Sequence, residues 1–283
     1  MDFLQQLLLD PLAPAFMQRA MLAVILIGVV SGIMGAYVVT RGMAFLGDAL
    51  AHTILPGVAV GYLVGSGSPT WVLLGGLGAG VLSAIGIGWL TRGGKLSEDT
   101  AIGVVFAGAL ALGIALISTA GNYATDLTHI LIGNVLAVGN DDLVLIAGIS
   151  GIVIVAILLL YKEFLIISFD PTLSHMLKLP GEGLRITLLV LLALTVVISL
   201  RAVGVAMVAA MLVTPAAAAR FWTKRLWRMM ILAAVIGALG GVIGMYLAWH
   251  LSGIAPSATI VLTLTAIFAL SYLAKSAFAH RLR

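Results

Sequence analysis

The chain has 283 residues, of which 62% are hydrophobic and only 9% are charged. A water-soluble core does not need this much apolar material, and apolar runs of about 17–25 residues recur along the chain, as in helices that cross a bilayer. The net charge of +4 does not indicate a nucleic-acid partner, because the basic residues cluster between the apolar runs, where cytoplasmic loops collect them. The absence of cysteine excludes disulfides, thiolate ligands and iron–sulfur clusters.

The apolar runs predict an all-α polytopic membrane protein with one transmembrane domain over residues 1–283. We expect about nine membrane-spanning helices, within a range of eight to ten. The basic residues near 220–228 place the carboxyl terminus in the cytoplasm and the amino terminus outside; Arg19 and Arg201 are exceptions. The expected spans are residues 19–39, 43–64 and 71–90, a fourth span that starts near residue 97, and residues 143–161, 186–200, 203–219, 229–249 and 257–273.

Two local signals refine this reading. Gly28 and Gly32 form a G-x-x-x-G face that favours close helix packing. Ser97 is a candidate amino-terminal cap for the fourth span, and Glu98 and Asp99 lie at the positive end of that helix dipole. We interpret these two acids as capping residues rather than catalytic ones.

An ionisable pair lies inside the second span, in the stretch MAFLGDALAHTILPGVAV of residues 43–60. Asp48 and His52 are four residues apart, so they share one face of a helix. A charged group near the membrane centre costs about 2.5–3.5 kcal/mol on insertion scales, which favours a functional role. Carboxylate oxygen and imidazole nitrogen are a ligand pair suited to divalent transition metals. The alternatives are a structural hydrogen bond between the two side chains, the capping of a neighbouring helix, and a proton relay.

One Asp–His pair provides too few ligands for a metal ion, whereas two copies at a symmetry axis would provide four. Pro56 follows the pair and is expected to bend the helix and free a carbonyl near His52. An ordinary kink is the alternative interpretation.

Further candidates lie outside the second span. Residues 121–140 are shorter and more polar than a full span, which fits a re-entrant or surface helix. On it, Asp126 and His129 share a face and either form a cation vestibule or are simply solvated. Thr214, before Pro215 in the seventh span, is a further candidate oxygen donor along an ion path.

The longest polar interruption covers residues 162–185. Asp170 followed by Pro171 predicts a helix start, and Pro180-Gly181 predicts a stop. A short helix in such a loop is either a docking element or a plain connector. The chain has no G-x-x-x-x-G-K-[ST] motif, so a partner subunit or an ion gradient must supply any energy.

Four stretches together resemble a known family: RGMAFLGDALAHTILPGVAVG, NVLAV, FDPTLSHMLKLPG and SLRAVGVAMVAAMLVTPAAAAR. They resemble the permease subunit of bacterial ABC importers for zinc and manganese, and the resemblance covers nearly the whole chain. The G-D-A-x-x-H-x-x-L-P-G core is the most specific part.

The resemblance implies a non-enzymatic permease in the bacterial inner membrane. Its implied partners are membrane lipid, a second permease protomer (a homodimer), two cytoplasmic ATP-binding subunits and an extracytoplasmic metal-binding protein. No cofactor is bound permanently, ATP acts only through the partner subunit, and the cargo is Zn²⁺ or Mn²⁺, with Fe²⁺ as a further candidate.

By resemblance, Asp48 and His52 line the metal path, and residues 171–179 form the coupling helix that contacts the ATPase. Ser174 and Lys178 stand where the family usually has small residues, so the docking details are expected to differ. The implied coupling residues are Asp170, Pro171, Leu173, Ser174, Met176 and Leu177.

Three rival functions remain open from the sequence. A gradient-coupled secondary transporter would use the Asp48/His52 pair as a relay, although we find no clear repeat between the halves of the chain. An intramembrane assembly protein would tolerate loss of both side chains. An ABC permease for siderophores or cobalamin is disfavoured, because a bulky chelate is poorly served by a buried acid and imidazole.

Overall fold

The computed structural model describes residues 10–94, 96–119, 135–251 and 253–281. Over these ranges the chain is built from α-helices joined by short turns, without β-strands. The helices are α1 Ala15–Thr40, α2 Ala44–Thr53, α3 Leu55–Val64, α4 Pro69–Leu90, α5 Glu98–Ser118, α6 Asn140–Leu159, α7 Tyr161–Phe169, α8 Pro171–Met176, α9 Gly181–Val203, α10 Val205–Trp222, α11 Leu226–His250 and α12 Pro256–Arg281.

The predicted polytopic all-α architecture is confirmed. In the described part of the chain, eight segments are long and apolar enough to cross a membrane, with α2 and α3 together forming one of them. The one predicted span not among these eight, the seventh at residues 203–219, corresponds to α10, whose apolar part Met207–Trp222 is shorter. The whole of α10 has 18 residues and is about 27 Å long at the usual helical rise, slightly less than the thickness of the hydrocarbon core.

The bend expected in the second span is a break between α2 and α3 at Ile54, whose own backbone angles stay helical. Proline has no N–H group, so Pro56 cannot donate to the His52 carbonyl as a regular helix requires. The Ile54 N–H donates to that carbonyl instead. The break separates the half of the span that carries Asp48 from the half that leads to Val64.

The predicted loop at residues 162–185 is largely helical, which corrects the sequence interpretation. Helix α7 continues from the end of α6, α8 follows it, and α9 already begins at Gly181. The predicted start of α8 is confirmed, because an Asp170 side-chain oxygen accepts a hydrogen bond from the Leu173 N–H at 2.9 Å. The predicted end at Leu179 is wrong: α8 ends at Met176, and Lys178 adopts a φ of +52°, which a helix cannot include.

Close glycine contacts join α1 to α11 and confirm the predicted packing face. A Cβ atom added to Gly28 would lie 2.7 Å from the Gly237 carbonyl carbon, and one added to Gly32 would lie 2.6 Å from that of Ala233. Only hydrogen at these positions lets the two backbones approach this closely. The crossing places α1 at the centre of the bundle, between α11 and α10, with α6 along its side.

Substituting Gly28 with alanine is therefore expected to destabilise the protein by about 1–3 kcal/mol, because the added methyl group overlaps the α11 backbone. Gly86 is the matched control, since it lies inside α4 and an added Cβ would meet open space. Gly86→Ala is expected to leave stability unchanged or raise it by up to about 1 kcal/mol through helix propensity. Thermal unfolding in detergent compares the variants; equal midpoints would contradict the crossing.

A cluster of charged side chains joins four helices, and it adds an ion-pair role to Glu98, which lies in the first turn of α5 as predicted. Ser97 does cap α5, since its hydroxyl accepts from the Thr100 N–H at 3.2 Å. Glu98 accepts hydrogen bonds from Arg41 at 3.0 Å and from Arg185 at 3.4 Å. Arg185 also donates to the Gly88 carbonyl at 2.7 Å. The cluster ties the ends of α1 and α4 to the starts of α5 and α9.

Burial of the cluster lowers the pKa of Arg41, and the nearby Glu98 carboxylate opposes that shift. The Arg41 and Arg185 side chains are only 12% and 14% exposed, so their charges require compensation. Glu98 compensates both, and Glu182 also pairs with Arg185 at 3.1 Å. The Glu98 carboxylate thereby holds two cations next to the turn that leads into α2.

Other basic side chains lie at the same end of the molecule. Arg220 donates to the Val39 carbonyl at 3.1 Å, and Lys275 donates to the Phe221 carbonyl at 2.7 Å. Both contacts satisfy carbonyls in the last turn of a helix, where positive charge is favoured. We call the end that holds Arg41 and these two side chains the basic end.

The structure accounts for Arg201, one of the two exceptions to the charge pattern. Arg201 lies near the end of α9 that is remote from the basic end, and its Nη2 atom is 2.9 Å from Oδ1 of Asp142. Asp142 lies in the first turn of α6 and also accepts a hydrogen bond from the Gly139 N–H at 3.1 Å. The cation is therefore neutralised locally.

Candidate functional site

Asp48 and His52 lie on a face of α2 that stays partly exposed in the part of the chain that the structure describes. Oδ1 of Asp48 is 4.0 Å from Nε2 of His52, and the two side chains are 42% and 30% exposed. The other sides of this helix are packed into the core. The buried α2 residues are Leu46, Gly47, Ala49, Leu50, Ala51 and Thr53.

Two aromatic side chains flank the pair. The ring of Phe106 on α5 meets the His52 imidazole edge-on, with centroids 5.7 Å apart and an interplanar angle of 72°. Phe45, one turn before Asp48, contacts the same Phe106 ring at 5.9 Å. Edge-to-face contacts of this kind restrict ring orientation. They hold the imidazole beside the carboxylate on the open face.

The opposite side of α2 is set by its contact with α10. A Cβ atom at Gly47 would overlap the Leu212 side chain, and one at Gly35 on α1 would overlap the Leu212 carbonyl oxygen. Leu212 itself is fully buried. The Leu212 side chain fills the space beside Gly47, so the Gly47 side of α2 packs against α10. Asp48 and His52 therefore face away from α10.

Within one chain, Asp48 and His52 provide only two candidate metal ligands. Among the described residues, no group of three or more His, Cys, Asp or Glu side chains is placed to hold a metal ion. Divalent transition metals usually take at least about four ligands. The partial exposure of both side chains leaves space for further ligands to approach from outside the chain.

The other predicted path residues stay predictions. Asp126 and His129 lie outside the described residues. Thr214 is half-buried on α10, two positions beyond Leu212, and residues two apart do not share a helix face. Leu212, rather than Thr214, is therefore the α10 side chain that meets α2 at Gly47.

The predicted coupling residues lie within α8 or directly at its two ends, outside the membrane-spanning segments. Leu173, Met176 and Leu177 are 39%, 76% and 53% exposed, which is a high exposure for three apolar side chains so close together. Ser174 is buried instead, and a Cβ atom at Gly181 would lie 3.3 Å from its hydroxyl oxygen. Asp170 caps the helix that begins at Pro171. The structure thus separates an exposed apolar side of α8 from a side that packs on α9.

Sequence reasoning missed several residues that shape the site. The position of Phe45 beside the pair could have been predicted from helical spacing, because Phe45 lies three residues before Asp48 on the same face. Phe106 and Leu212 are 54 and 160 residues further along the chain than His52, and no local pattern links them to it. The ion-pair role of Glu98 also required the tertiary contact with Arg41.

Comparison with known proteins identifies the family. The sequence profile described as the ABC 3 transport family matches residues 13–275. The chain belongs to this family. The resemblance inferred from the four sequence stretches is therefore confirmed, and the chain is a multi-pass membrane protein of the ABC 3 transport family.

Curated relatives match nearly the full chain of this ABC 3 family member. The manganese transport system membrane protein MntC of Listeria monocytogenes is 41% identical over 259 residues, covering 92% of this chain and 90% of the relative. The chelated iron transport system membrane protein YfeD of Yersinia pestis is 35% identical over 275 residues, covering 96% and 90%.

A solved structure shows the same fold. PsaBC from Streptococcus pneumoniae, in complex with a Fab, superposes with a TM-score of 0.80 at 35% identity, covering 96% of this chain and 94% of that one.

Proposed function

We propose that the chain is the permease subunit of an ABC importer that moves a divalent transition-metal ion, Mn²⁺ in the first place, into the bacterial cytoplasm. Membership of the ABC 3 transport family supports the transporter class. The names of the MntC and YfeD relatives support a metal as cargo. The chain itself is a non-enzymatic membrane subunit, and a separate subunit hydrolyses ATP.

The observation that carries this proposal is the half-exposed pair of Asp48 and His52, 4.0 Å apart within a membrane-crossing segment. Lipid is a costly environment for a carboxylate and an imidazole unless each is paired or used. A second copy of the chain, related by a two-fold axis next to α2, brings a second Asp48 and His52 to the same place. The homodimer thereby supplies four ligands to one ion.

The chemistry of the pair agrees with manganese without excluding its neighbours in the periodic table. Carboxylate oxygens suit Mn²⁺, imidazole also suits Zn²⁺ and Fe²⁺, and the sequence has no cysteine that would favour softer metals. A passage site must also release its ion, and a site assembled from few ligands beside a broken helix favours weak, transient binding. We propose Mn²⁺ as the preferred cargo because the carboxylate ligand and the absence of cysteine agree with the manganese transport named for the MntC relative.

We further propose that the basic end faces the cytoplasm. Arg220 and Lys275 lie there, as do the carboxyl-terminal helix end and α8, in agreement with the positive-inside tendency of bacterial membrane proteins. The exposed apolar side of α8 then lies where a cytoplasmic ATP-binding subunit can dock. An extracytoplasmic binding protein delivers the ion to the opposite end, which carries Arg201 and Asp142.

Uptake by the reconstituted complex tests the function. The permease and its ATP-binding subunit are placed in proteoliposomes, with the binding protein outside and radioactive Mn²⁺ as the cargo. We expect uptake that requires ATP hydrolysis. Excess unlabelled Mn²⁺ is expected to reduce uptake of the labelled ion more strongly than excess Zn²⁺ or Fe²⁺ does. Uptake by the permease alone, driven by a proton or sodium gradient, would instead establish the secondary-transporter alternative.

A further inference from the structure

An apolar cleft of about 280 Å³ lies between α1, α6 and α11. Ile33 lines it from α1, and Leu158 and Ile231 line it from α6 and α11. The Leu158 and Ile231 side chains are 51% and 46% exposed, so the cleft opens outward from the bundle. Its position along the helices is towards the basic end, because α6 ends at Leu159 and α11 begins at Leu226.

Basic side chains lie near the basic end of both helices that wall the cleft. Arg228 is three residues before Ile231 on α11, so the two share a helix face. Lys162 follows Leu158 by four residues, past the end of α6. Both are exposed. Lys224 and Arg225 are also exposed and immediately precede α11, so the rim of the cleft is cationic.

An aromatic pair lies at the boundary between the apolar cleft and the basic rim. Trp227 lines the cleft and is 48% exposed. Its ring contacts Tyr161 edge-on, with centroids 6.0 Å apart. Tryptophan and tyrosine are enriched at the level of lipid headgroups. The pair therefore marks the depth at which a headgroup meets its acyl chains.

The amino terminus of α11 strengthens the positive potential at this rim. The helix has no acidic residue in its first turn and no side-chain cap, in contrast to α5, which has Ser97, Glu98 and Asp99. Its free N–H groups carry the positive end of the helix dipole. Glu163 on α7 is the acid adjacent to Lys162, and it leaves the rim with an excess of cations.

We propose that this cleft binds an anionic phospholipid of the cytoplasmic leaflet. One acyl chain lies between α6 and α11 against Ile33, and the phosphate is held by Arg228 and Lys162 at the rim. Basic pockets between membrane helices on the cytoplasmic side recognise such headgroups. A second copy of the chain is a poor occupant, because a two-fold contact here would place the same cations against one another.

Lipid analysis of the purified permease–ATPase complex tests this site. The complex is extracted from bacterial membranes in mild detergent, and native mass spectrometry measures retained phosphatidylglycerol and phosphatidylethanolamine. We expect the wild-type chain to retain phosphatidylglycerol selectively. The double variant Lys162→Gln/Arg228→Gln is expected to bind it roughly 25-fold more weakly, at about fivefold for each lost charge.

A second variant tests the acyl-chain part of the site separately. Ala234 lines the cleft, so Ala234→Phe fills it without changing any charge and is expected to displace the same lipid. The matched controls are Arg92→Gln, which removes an exposed cation from another loop at the basic end, and Ala269→Phe, which enlarges an exposed residue on α12. Both controls are expected to retain phosphatidylglycerol, and thermal unfolding of each variant establishes that it is folded.

Three outcomes would overturn the proposal. Equal retention of phosphatidylethanolamine and phosphatidylglycerol by the wild-type chain would show that the rim does not select charge. Unchanged phosphatidylglycerol in both folded cleft variants would show that the lipid binds elsewhere. Dissociation of a dimer by Ala234→Phe, without loss of lipid, would show that a second copy occupies the cleft.

Discussion

Uptake of Mn²⁺ is expected to fall by at least about 100-fold when Asp48 or His52 is replaced by alanine, since loss of even an outer partner of a metal ligand costs roughly 10–100-fold. In a homodimer each substitution removes two of the four proposed ligands. Uptake of radioactive Mn²⁺ into proteoliposomes that contain the ATP-binding subunit measures the effect.

Both substitutions are expected to leave folding and assembly intact, because the two side chains are partly exposed and their 4.0 Å contact contributes little to stability. Co-purification with the ATP-binding subunit checks assembly. Asp99→Ala is the matched control, since it removes an exposed acid at the start of α5 and is expected to leave uptake unchanged. Normal uptake by the Asp48 and His52 variants would remove these residues from the ion path.

Association with the ATP-binding subunit is expected to be lost in the double variant Leu173→Asp/Met176→Asp. Both side chains are exposed apolar residues on α8, and burying a charge in their place within an interface is unfavourable. Truncation of a hot-spot residue at the centre of an interface costs about 2 kcal/mol or more, so the two changes together are expected to weaken association by at least about 100-fold if α8 is the docking element. Pull-down of the permease by a tagged ATP-binding subunit measures it.

Leu96→Asp is the control for this second prediction. Leu96 is an exposed leucine, 39% accessible, in the turn before α5 at the same end of the molecule. The control is expected to assemble normally. The two predictions are distinguishable, because Asp48→Ala loses uptake with the ATP-binding subunit still attached, whereas the α8 variant loses both. A stable complex with the α8 variant would show that α8 is only a connector.

Local sequence signals predicted local structure well. Asp170 and Ser97 were recognisable as caps because a cap acts on N–H groups within three residues, and both hydrogen bonds are present. Gly28 and Gly32 were recognisable as a packing face, although the sequence did not identify α11 as the partner. The end of α8 was misplaced, because the left-handed φ of Lys178 occurs at a residue type that does not signal it.

These local signals could not predict the long-range charge pairs. Glu98 has the sequence context of a first-turn acid, yet it compensates Arg41 and Arg185, which are 57 and 87 residues away. Arg201 was an exception to the charge pattern until the structure placed it against Asp142. Coulombic pairing depends on distance in space, and the distance is set only after the helices pack.

The sequence by itself determined the membrane-spanning helices, the placement of Asp48 and His52 on one helical face, and the family, because each of these depends on residue type and on spacing within one segment. The tertiary structure alone decided which way that face points. Leu212 fills the space beside Gly47 and Phe106 contacts His52 edge-on, so Asp48 and His52 are turned outward and stay partly exposed. Helix rotation is set by packing against neighbours, and periodicity along one helix does not contain that information.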